Sequence, residues 1–199
     1  GGVLSRVFKR KWMPEPPYYA ELGHAIPTDL PPEVEERAER YVENAIKALG
    51  INFGSVNMDM LITSEGKIHI IDIGARMGGN MIGPCVIPYG TGVDYMANMI
   101  RNAVGDEKNF GTSAHGCVAT RLLAFKDGVV ARMPDFDALE KDYGVEIYHH
   151  LELGQKVNEY HTNLDGCGYI VAKADDVETA IQKAETVLNI IKETIFCTD

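Results

Sequence analysis

An α+β fold, an antiparallel sheet with flanking helices, is what this sequence predicts, and three observations carry it. Two segments, residues 33–49 and 176–195, repeat apolar residues at three- and four-residue spacing, as amphipathic helices do. Short runs of apolar and β-branched residues alternate with Gly-, Pro- and Asp-containing turns. No repeated βαβ unit links them, so the strands are expected to pair antiparallel. At 199 residues and 45% hydrophobic content, the chain can bury the core of one domain.

Residues 3–11 read as a strand, 12–17 as a proline-broken loop and 18–24 as a second strand, ended by Ile26-Pro27. Pro31-Pro32 precede the first helix, whose stripe is Val34, Ala38, Tyr41, Val42, Ala45, Ile46 and Leu49, with Gly50 as its stop. Residues 56–63 and 67–73 then flank Ser64-Glu65-Gly66 and read as a hairpin. The Gly-rich stretch that follows is expected as loop, leading to a helix near 93–104 ended by Gly105. Residues 117–125 read as a strand, Lys126-Asp127-Gly128 as a turn and 129–132 as its return strand. Residues 145–151 and 168–174 are further strands. The last helix has Asp175 and Glu178 at capping-box spacing and a stripe of Val177, Ala180, Ile181, Ala184, Val187, Leu188, Ile191 and Ile195. Two regions of one folding unit are expected: residues 1–112, with the hairpin and two helices, and residues 113–199, a small strand-rich unit closed by a helix.

The hairpin carries the chemistry. With Glu65-Gly66 as a two-residue turn, residues whose numbers sum to 131 are opposed, so Asp59 faces Asp72. Opposed side chains lie roughly 5 Å apart at Cβ, where like charges repel. A cation between them reverses that penalty, and Mg²⁺ is held by one or two carboxylates plus phosphate oxygens. Asn57 falls opposite Gly74 on the same face, with Arg76 following. Leu61 and Ile70 are expected on this face too, which argues against a simply wet acidic surface.

Composition bounds the rest. A formal charge of −10 argues against duplex nucleic acid, whose binding is dominated by phosphate neutralisation, but leaves ATP open. Cys85, Cys117, Cys167 and Cys197 include no Cys-x-x-Cys pair, so reduced thiols in the cytoplasm are expected. The longest uncharged run, residues 77–93, holds five glycines and two prolines and is no membrane helix, and no signal peptide is visible. The opening Gly1-Gly2 suggests an excised or processed piece.

Gly78 and Gly79, beside Arg76, let backbone approach a substrate closely, and Asn80 is placed to touch it. Arg6, Lys9, Arg10 and Lys11 read as a solvated strand edge in preference to a phosphate patch. His24 reads as a structural hydrogen-bonder in preference to a proton carrier. His149, His150 and His161 invite a zinc site, but His149 and His150, adjacent on a strand, point to opposite faces and do not readily share a metal. Arg121 either faces the site or pairs with an acid. No Walker loop, Rossmann fingerprint or nucleophile elbow appears.

The stretch from Gly54 to Arg101 resembles the ATP-grasp superfamily, in its biotin carboxylase, carbamoyl-phosphate synthase and amino-acid ligase branch. The resemblance rests on Val56-Asn57-Met58-Asp59, on Ile70-Ile71-Asp72-Ile73-Gly74-Ala75-Arg76-Met77-Gly78-Gly79 and on Thr91-Gly92-Val93-Asp94. It implies the C-terminal lobe of the grasp plus a small C-terminal strand-rich unit, with ATP and Mg²⁺ as cofactors. It implies Asp59 and Asp72 as metal ligands and Arg76 on phosphate or substrate. The activity implied is a carboxylate–amine ligation through an acyl phosphate, completed by an N-terminal part of the same protein or a partner subunit; many relatives are dimers. Alone, the chain is expected to be inactive. Two departures stand out. Asp72 occupies a position usually Glu, and Gly74 one usually Asn, for which Asn57 is offered as the substitute amide. The competing expectation is a degenerate, non-catalytic lobe kept as a binding or subunit-interaction module.

Overall fold

Strands from both ends of the sequence build the main sheet. The structure, a computed structural model, describes residues 7–14, 18–111 and 116–196; Arg6, Cys197 and parts of the predicted first strand and proline loop lie outside the described residues. Strands β1 (Arg10–Trp12) and β2 (Gly23–Ile26) lead to helix α1 (Pro32–Ala48) and to a hairpin of β3 (Asn57–Ile62) and β4 (Ile68–Gly74). A π-helical turn, Ile82–Val86, runs into α2 (Ile87–Thr91), and α3 (Tyr95–Val104) follows. Then come β5 (Cys117–Leu122), β6 (Gly128–Val129), α4 (Phe136–Tyr143), β7 (Val145–His149), β8 (Lys156–Val157), β9 (Gly168–Ala174) and α5 (Val177–Ile195). The five-stranded sheet has order β1-β2-β5-β9-β7, antiparallel throughout, while β3–β4 and β6–β8 form separate two-stranded sheets.

Alternation along the strands decides what each sheet face carries. Trp12, Gly23 and Arg121 are in register on one face; Lys11, His24 and Thr120 are in register on the other. Helix α5 covers the first face, packing Ala180 and Ile181 on Ala25 and Ala119, and Ile191 and Ile195 into the main core with Leu123 and Ile170. Each fully buried leucine or isoleucine among these stabilises by about 1.5–3 kcal/mol. The second face is covered by the π-helical turn, where Cys85 and Val86 meet Ile26, Val118 and Val171.

The helices expected at both ends of the chain form, and β9 spans its predicted residues. Other elements differ for identifiable reasons. Tyr18 and Tyr19 are exposed, and the second strand is instead Gly23–Ile26, where all four residues are buried against β5. Among the described residues the first strand begins only at Arg10. The Gly-rich stretch is helical over much of its length, because Ile82, Cys85, Val86 and Ile87 have a core to enter. Gly128–Val129 pairs with β8 and does not return on β5, because the chain leaves the sheet after Leu122 to bury Phe125 edge-on to Phe196. Helix α4 was unexpected, although its N-cap Asp135 and its stop Gly144 are both visible in the sequence. The N-cap of α5 is Asp176, not Asp175; its carboxylate accepts from Thr179 N at 2.8 Å and from Thr179 Oγ1 at 2.7 Å.

Candidate functional site

Asp59 does face Asp72, by a route different from the expected one. Thr63 N donates to Lys67 O and Gly66 N to Thr63 O, so the turn holds three residues and its register sets Met60 against Ile70. That register alone would place Ile71 opposite Asp59. A β-bulge between Asp59 and Met60 absorbs Ile71 as an extra residue and restores Asp59↔Asp72, Met58↔Ile73 and Asn57↔Gly74. The three-residue turn puts Ile70 opposite Met60, away from the acidic face. Leu61 and Ile70 are both exposed, so the expected apolar shielding of the carboxylates is absent. Arg37 on α1 fixes the turn, Nη2 donating to Gly66 O at 2.7 Å.

The groups around the two carboxylates are mostly uncommitted. Asp72 is exposed, and among the described residues it has no hydrogen bond or ion pair. Asn57 likewise spends its amide on no protein partner, and its Oδ1 lies toward the loop: a Cβ added at Gly78 would sit 2.9 Å from it. Arg76 is exposed; its Nη1 donates to the adjacent Met77 O at 3.0 Å, and its side chain folds over Gly74, whose added Cβ would meet Arg76 Nε at 3.3 Å. The space over Gly74 thus belongs to Arg76, and Asn57 leans toward Gly78. Gly79 has nothing within contact range.

Asp59 is different: Lys11 Nζ lies 2.9 Å from its Oδ2. Lys11 and Lys9 therefore turn toward the site and do not form a solvated edge, a correction that alternation explains, since Arg10 and Trp12 take the opposite face. Burial lowers the Lys9 pKa, against the raising influence of Glu21 and Asp59.

Glu21, His24 and Asn80 continue the site into the main sheet. Asn80 Nδ2 donates to Glu21 Oε2, and Asn80 Oδ1 accepts from Tyr169 Oη at 2.9 Å. Tyr160 Oη donates to the Glu21 carbonyl at 2.7 Å. Asn80 and Met81 hold φ of +52° and +59°, an uncommon backbone for residues with side chains, so the loop after Arg76 is pinned at some conformational cost. His24 is fully buried, its Nε2 3.5 Å from Asn80 Nδ2 and its Nδ1 without a partner among the described residues. Burial first, then Lys9, Lys11 and Arg121, push its pKa down to about 3, so the ring is neutral at ordinary pH and carries no proton there. Glu21, Lys9, Lys11 and Tyr169 were missed as site residues. Their signal is tertiary, apart from the strand alternation that separates Lys11 from Arg10 and Trp12.

A cavity of about 1030 Å³ opens beside the site, bounded by Lys9, Lys11, Asn57, Asp59, Gly78 and apolar groups of α1 and α3. Of the remaining candidates, Arg121 pairs with Glu185 at 2.7 Å on the α5 face. His149 stacks on Phe136 and His161 on Tyr18. No group of three metal-binding side chains is assembled among the described residues, so a metal at Asp59 and Asp72 would take its other ligands from water or phosphate. No helix among the described residues is long and apolar enough to cross a membrane.

Residues 121–194 match the family model for L-amino acid ligase C-terminal domain 2. An uncharacterized protein of Sinorhizobium fredii (strain NBRC 101917 / NGR234), y4rH, is 26% identical over 174 residues, covering 85% of this chain and 36% of that protein. Among solved structures, phosphoribosylglycinamide synthetase from Anaerococcus prevotii matches with TM-score 0.78 and 20% identity, over 98% of this chain and 50% of that one. L-amino acid ligase from Bacillus licheniformis matches with TM-score 0.77 and 19% identity, over 92% of this chain and 46% of that one. Biotin carboxylase from Campylobacter jejuni, solved as a beta-gamma-ATP complex, matches with TM-score 0.60 and 18% identity, over 85% of this chain and 38% of that one. The chain thus spans half or less of the length of the proteins it matches.

Proposed function

From a chain that folds as the C-terminal part of an ATP-grasp enzyme, we propose a role as the metal- and phosphate-facing portion of a ligase. That enzyme, cytoplasmic and dependent on ATP and Mg²⁺, would join a small-molecule carboxylate to an amine. The observation that carries this reading is the opposed pair Asp59 and Asp72, with Asn57 and Arg76 at the same end of the hairpin, Arg76 engaged only with the adjacent Met77 carbonyl among the described residues. Residues 1–112 would carry the lobe's ligands, and 113–199 would buttress them through Tyr160 and Tyr169. An N-terminal part of the same protein or a partner subunit would complete the site, and a homodimer fits the same reading.

In this reaction the carboxylate oxygen attacks the γ-phosphorus of ATP and ADP leaves, giving an acyl phosphate; the amine then attacks the acyl carbon, phosphate leaves and the amine gives up its proton. Such transfer requires positioning and charge neutralisation more than a protein nucleophile. When bound, Mg²⁺ would supply charge neutralisation to the phosphates. Asp59 and Asp72 would hold it, with the Asn57 amide as a neutral oxygen donor beside them. Arg76 steadies the transferred phosphoryl group, its remaining N–H groups being free to donate. Lys11 balances Asp59 before metal binds and is afterwards available to a phosphate oxygen. Gly78, Gly79 and Asn80 line the acyl side.

The test is thermal stabilisation of a longer form carrying the N-terminal part, with Mg²⁺ and ATP together. At ligand a hundredfold above Kd the expected gain is about 2.7 kcal/mol, several degrees in melting temperature. Asp59→Asn and Asp72→Asn should each abolish it. A second reading, a degenerate lobe retained for binding or subunit contact, draws on the bare Gly74 and on Lys11 occupying Asp59. Stabilisation that survives both substitutions, or none in the unsubstituted protein, would favour it.

A further inference from the structure

Lys11 is shared between two carboxylates. Its Nζ lies 2.9 Å from Asp59 Oδ2 on the hairpin and 3.9 Å from Glu21 Oε1 on the approach to β2. The side chains of Lys11 and Asp59 are only 24% and 22% exposed, so solvent screens this pair less than it does a surface ion pair. Lys9, two residues back along the alternating chain, lines the cavity with Lys11 and Asp59 and lies within electrostatic reach of Glu21 and Asp59. Arg76 follows β4 at the hairpin end that carries Asp72. The carboxylates Asp59, Asp72 and Glu21 are thus met by the cations Lys9, Lys11 and Arg76, and these charges balance.

At the metal site proposed above, on which this inference rests, a balanced set of charges gains little from a divalent cation alone. A cation ligated by Asp59 stands beside the Lys11 ammonium and repels it, so the two compete for one carboxylate. A move toward Glu21 brings Lys11 no new partner, because it already lies beside that carboxylate, whose Oε2 accepts from Asn80 Nδ2. A polyphosphate does bring one: its anionic oxygens accept charge-assisted hydrogen bonds from the displaced ammonium, with Lys9 on the same side. Cation and anion arriving together restore the balance that either alone upsets.

We propose that Lys11 makes this site select a divalent cation chelated by a polyphosphate over the same cation free in solution. Lys11 holds Asp59 against the free ion and releases it when phosphate oxygens take the ammonium. Cation and anion then bind with positive coupling, each raising the affinity for the other by the same factor.

Equilibrium dialysis of the 199-residue chain against Mn²⁺, alone and as its one-to-one complex with tripolyphosphate, tests this without any turnover. Mn²⁺ takes the same oxygen ligands as Mg²⁺. The complex should half-saturate the wild-type chain at a concentration at least about tenfold below that of free Mn²⁺, the scale of one charge-assisted hydrogen bond. Lys11→Gln should bind free Mn²⁺ more tightly and the complex more weakly, bringing the two within about threefold, while circular dichroism stays unchanged. Lys11→Arg should keep the wild-type preference, which separates the charge from any loosening of the hairpin. Lys9→Gln removes an equal charge outside the ion pair and should keep most of that preference. An unchanged ratio in Lys11→Gln, or an equal collapse in Lys9→Gln, would overturn the proposal while leaving Asp59 a metal ligand. Manganese retention that Asp59→Asn does not reduce, or no retention by any form, would overturn the metal site itself and the proposal with it.

Discussion

Gly78 and Gly79 are neighbours with different jobs, and the difference is measurable. A side chain at Gly78 would press on Asn57 Oδ1 and Ile82 Cδ1, both ends of side chains that can swing away, whereas Gly79 faces open space. Gly78→Ala should therefore cost little stability, under about 1 kcal/mol, yet displace the Asn57 amide and weaken Mg²⁺–ATP stabilisation of the longer form. Gly79→Ala should leave the melting temperature and the nucleotide response unchanged, so that any loss of ligation in that variant reads on substrate approach. His24 makes a second prediction at this scale. Its folded pKa of about 3 lies below the roughly 6.5 of an unfolded histidine, so between these values the unfolded chain binds the extra proton. Stability is retained above that window and lost as pH falls through it, by up to about 1.4 kcal/mol per pH unit. Urea titrations of wild type and His24→Gln from about pH 6 to about 4 should show a flatter slope in the variant. His24 was legible in the sequence as a structural residue. Its pKa was not, because burial and three cations from β1, β5 and the approach to β1 set it.

At the scale of elements, the hairpin shows how two irregularities compensate. A three-residue turn shifts the ladder by one, and the bulge at Ile71 shifts it back before Asp59. Deleting Ile71 should give a regular ladder that still opposes Asp59 and Asp72. Because Ile71 is 66% exposed, the deletion should cost within about 1 kcal/mol and preserve the Mg²⁺–ATP thermal shift. Loss of that shift would mean the bulge aims the carboxylates as well as restoring register. That the two aspartates lie on paired strands was readable because β-branched runs and a Ser-Glu-Gly turn confine the register to within one residue; their direct opposition was decided by the bulge. The turn length and the bulge were not, since a turn of two or three residues fits the same letters. The same limit applies to the π-helical turn at Ile82–Val86. Five glycines hide its apolar spacing, and only the core under β2, β5 and β9 makes that spacing worth adopting.

For the whole molecule, the hairpin is a two-stranded sheet, held to the rest by Arg37 at its turn and Lys11 at Asp59. Such a sheet is marginal alone, and Leu61, Ile71 and Met77 stand exposed along it. Together with a length half or less that of the matched proteins, this leads us to expect no ATP turnover from the 199-residue chain. A coupled assay for ADP release checks it; turnover above background would mean that these residues suffice. The sequence by itself determined the α+β class, the two long amphipathic helices, and the convergence of Asp59, Asp72, Asn57 and Arg76 on one hairpin. All of these follow from short-range periodicity or from pairing across one tight turn. The tertiary structure alone decided that Lys11 neutralises Asp59, that Glu21, Asn80 and Tyr169 lock the glycine loop, and that Arg121 faces away onto Trp12. Those contacts join residues as many as 109 positions apart, as Trp12 and Arg121 are. The order of strands in the sheet brings such residues together, and nothing in their local sequence encodes it.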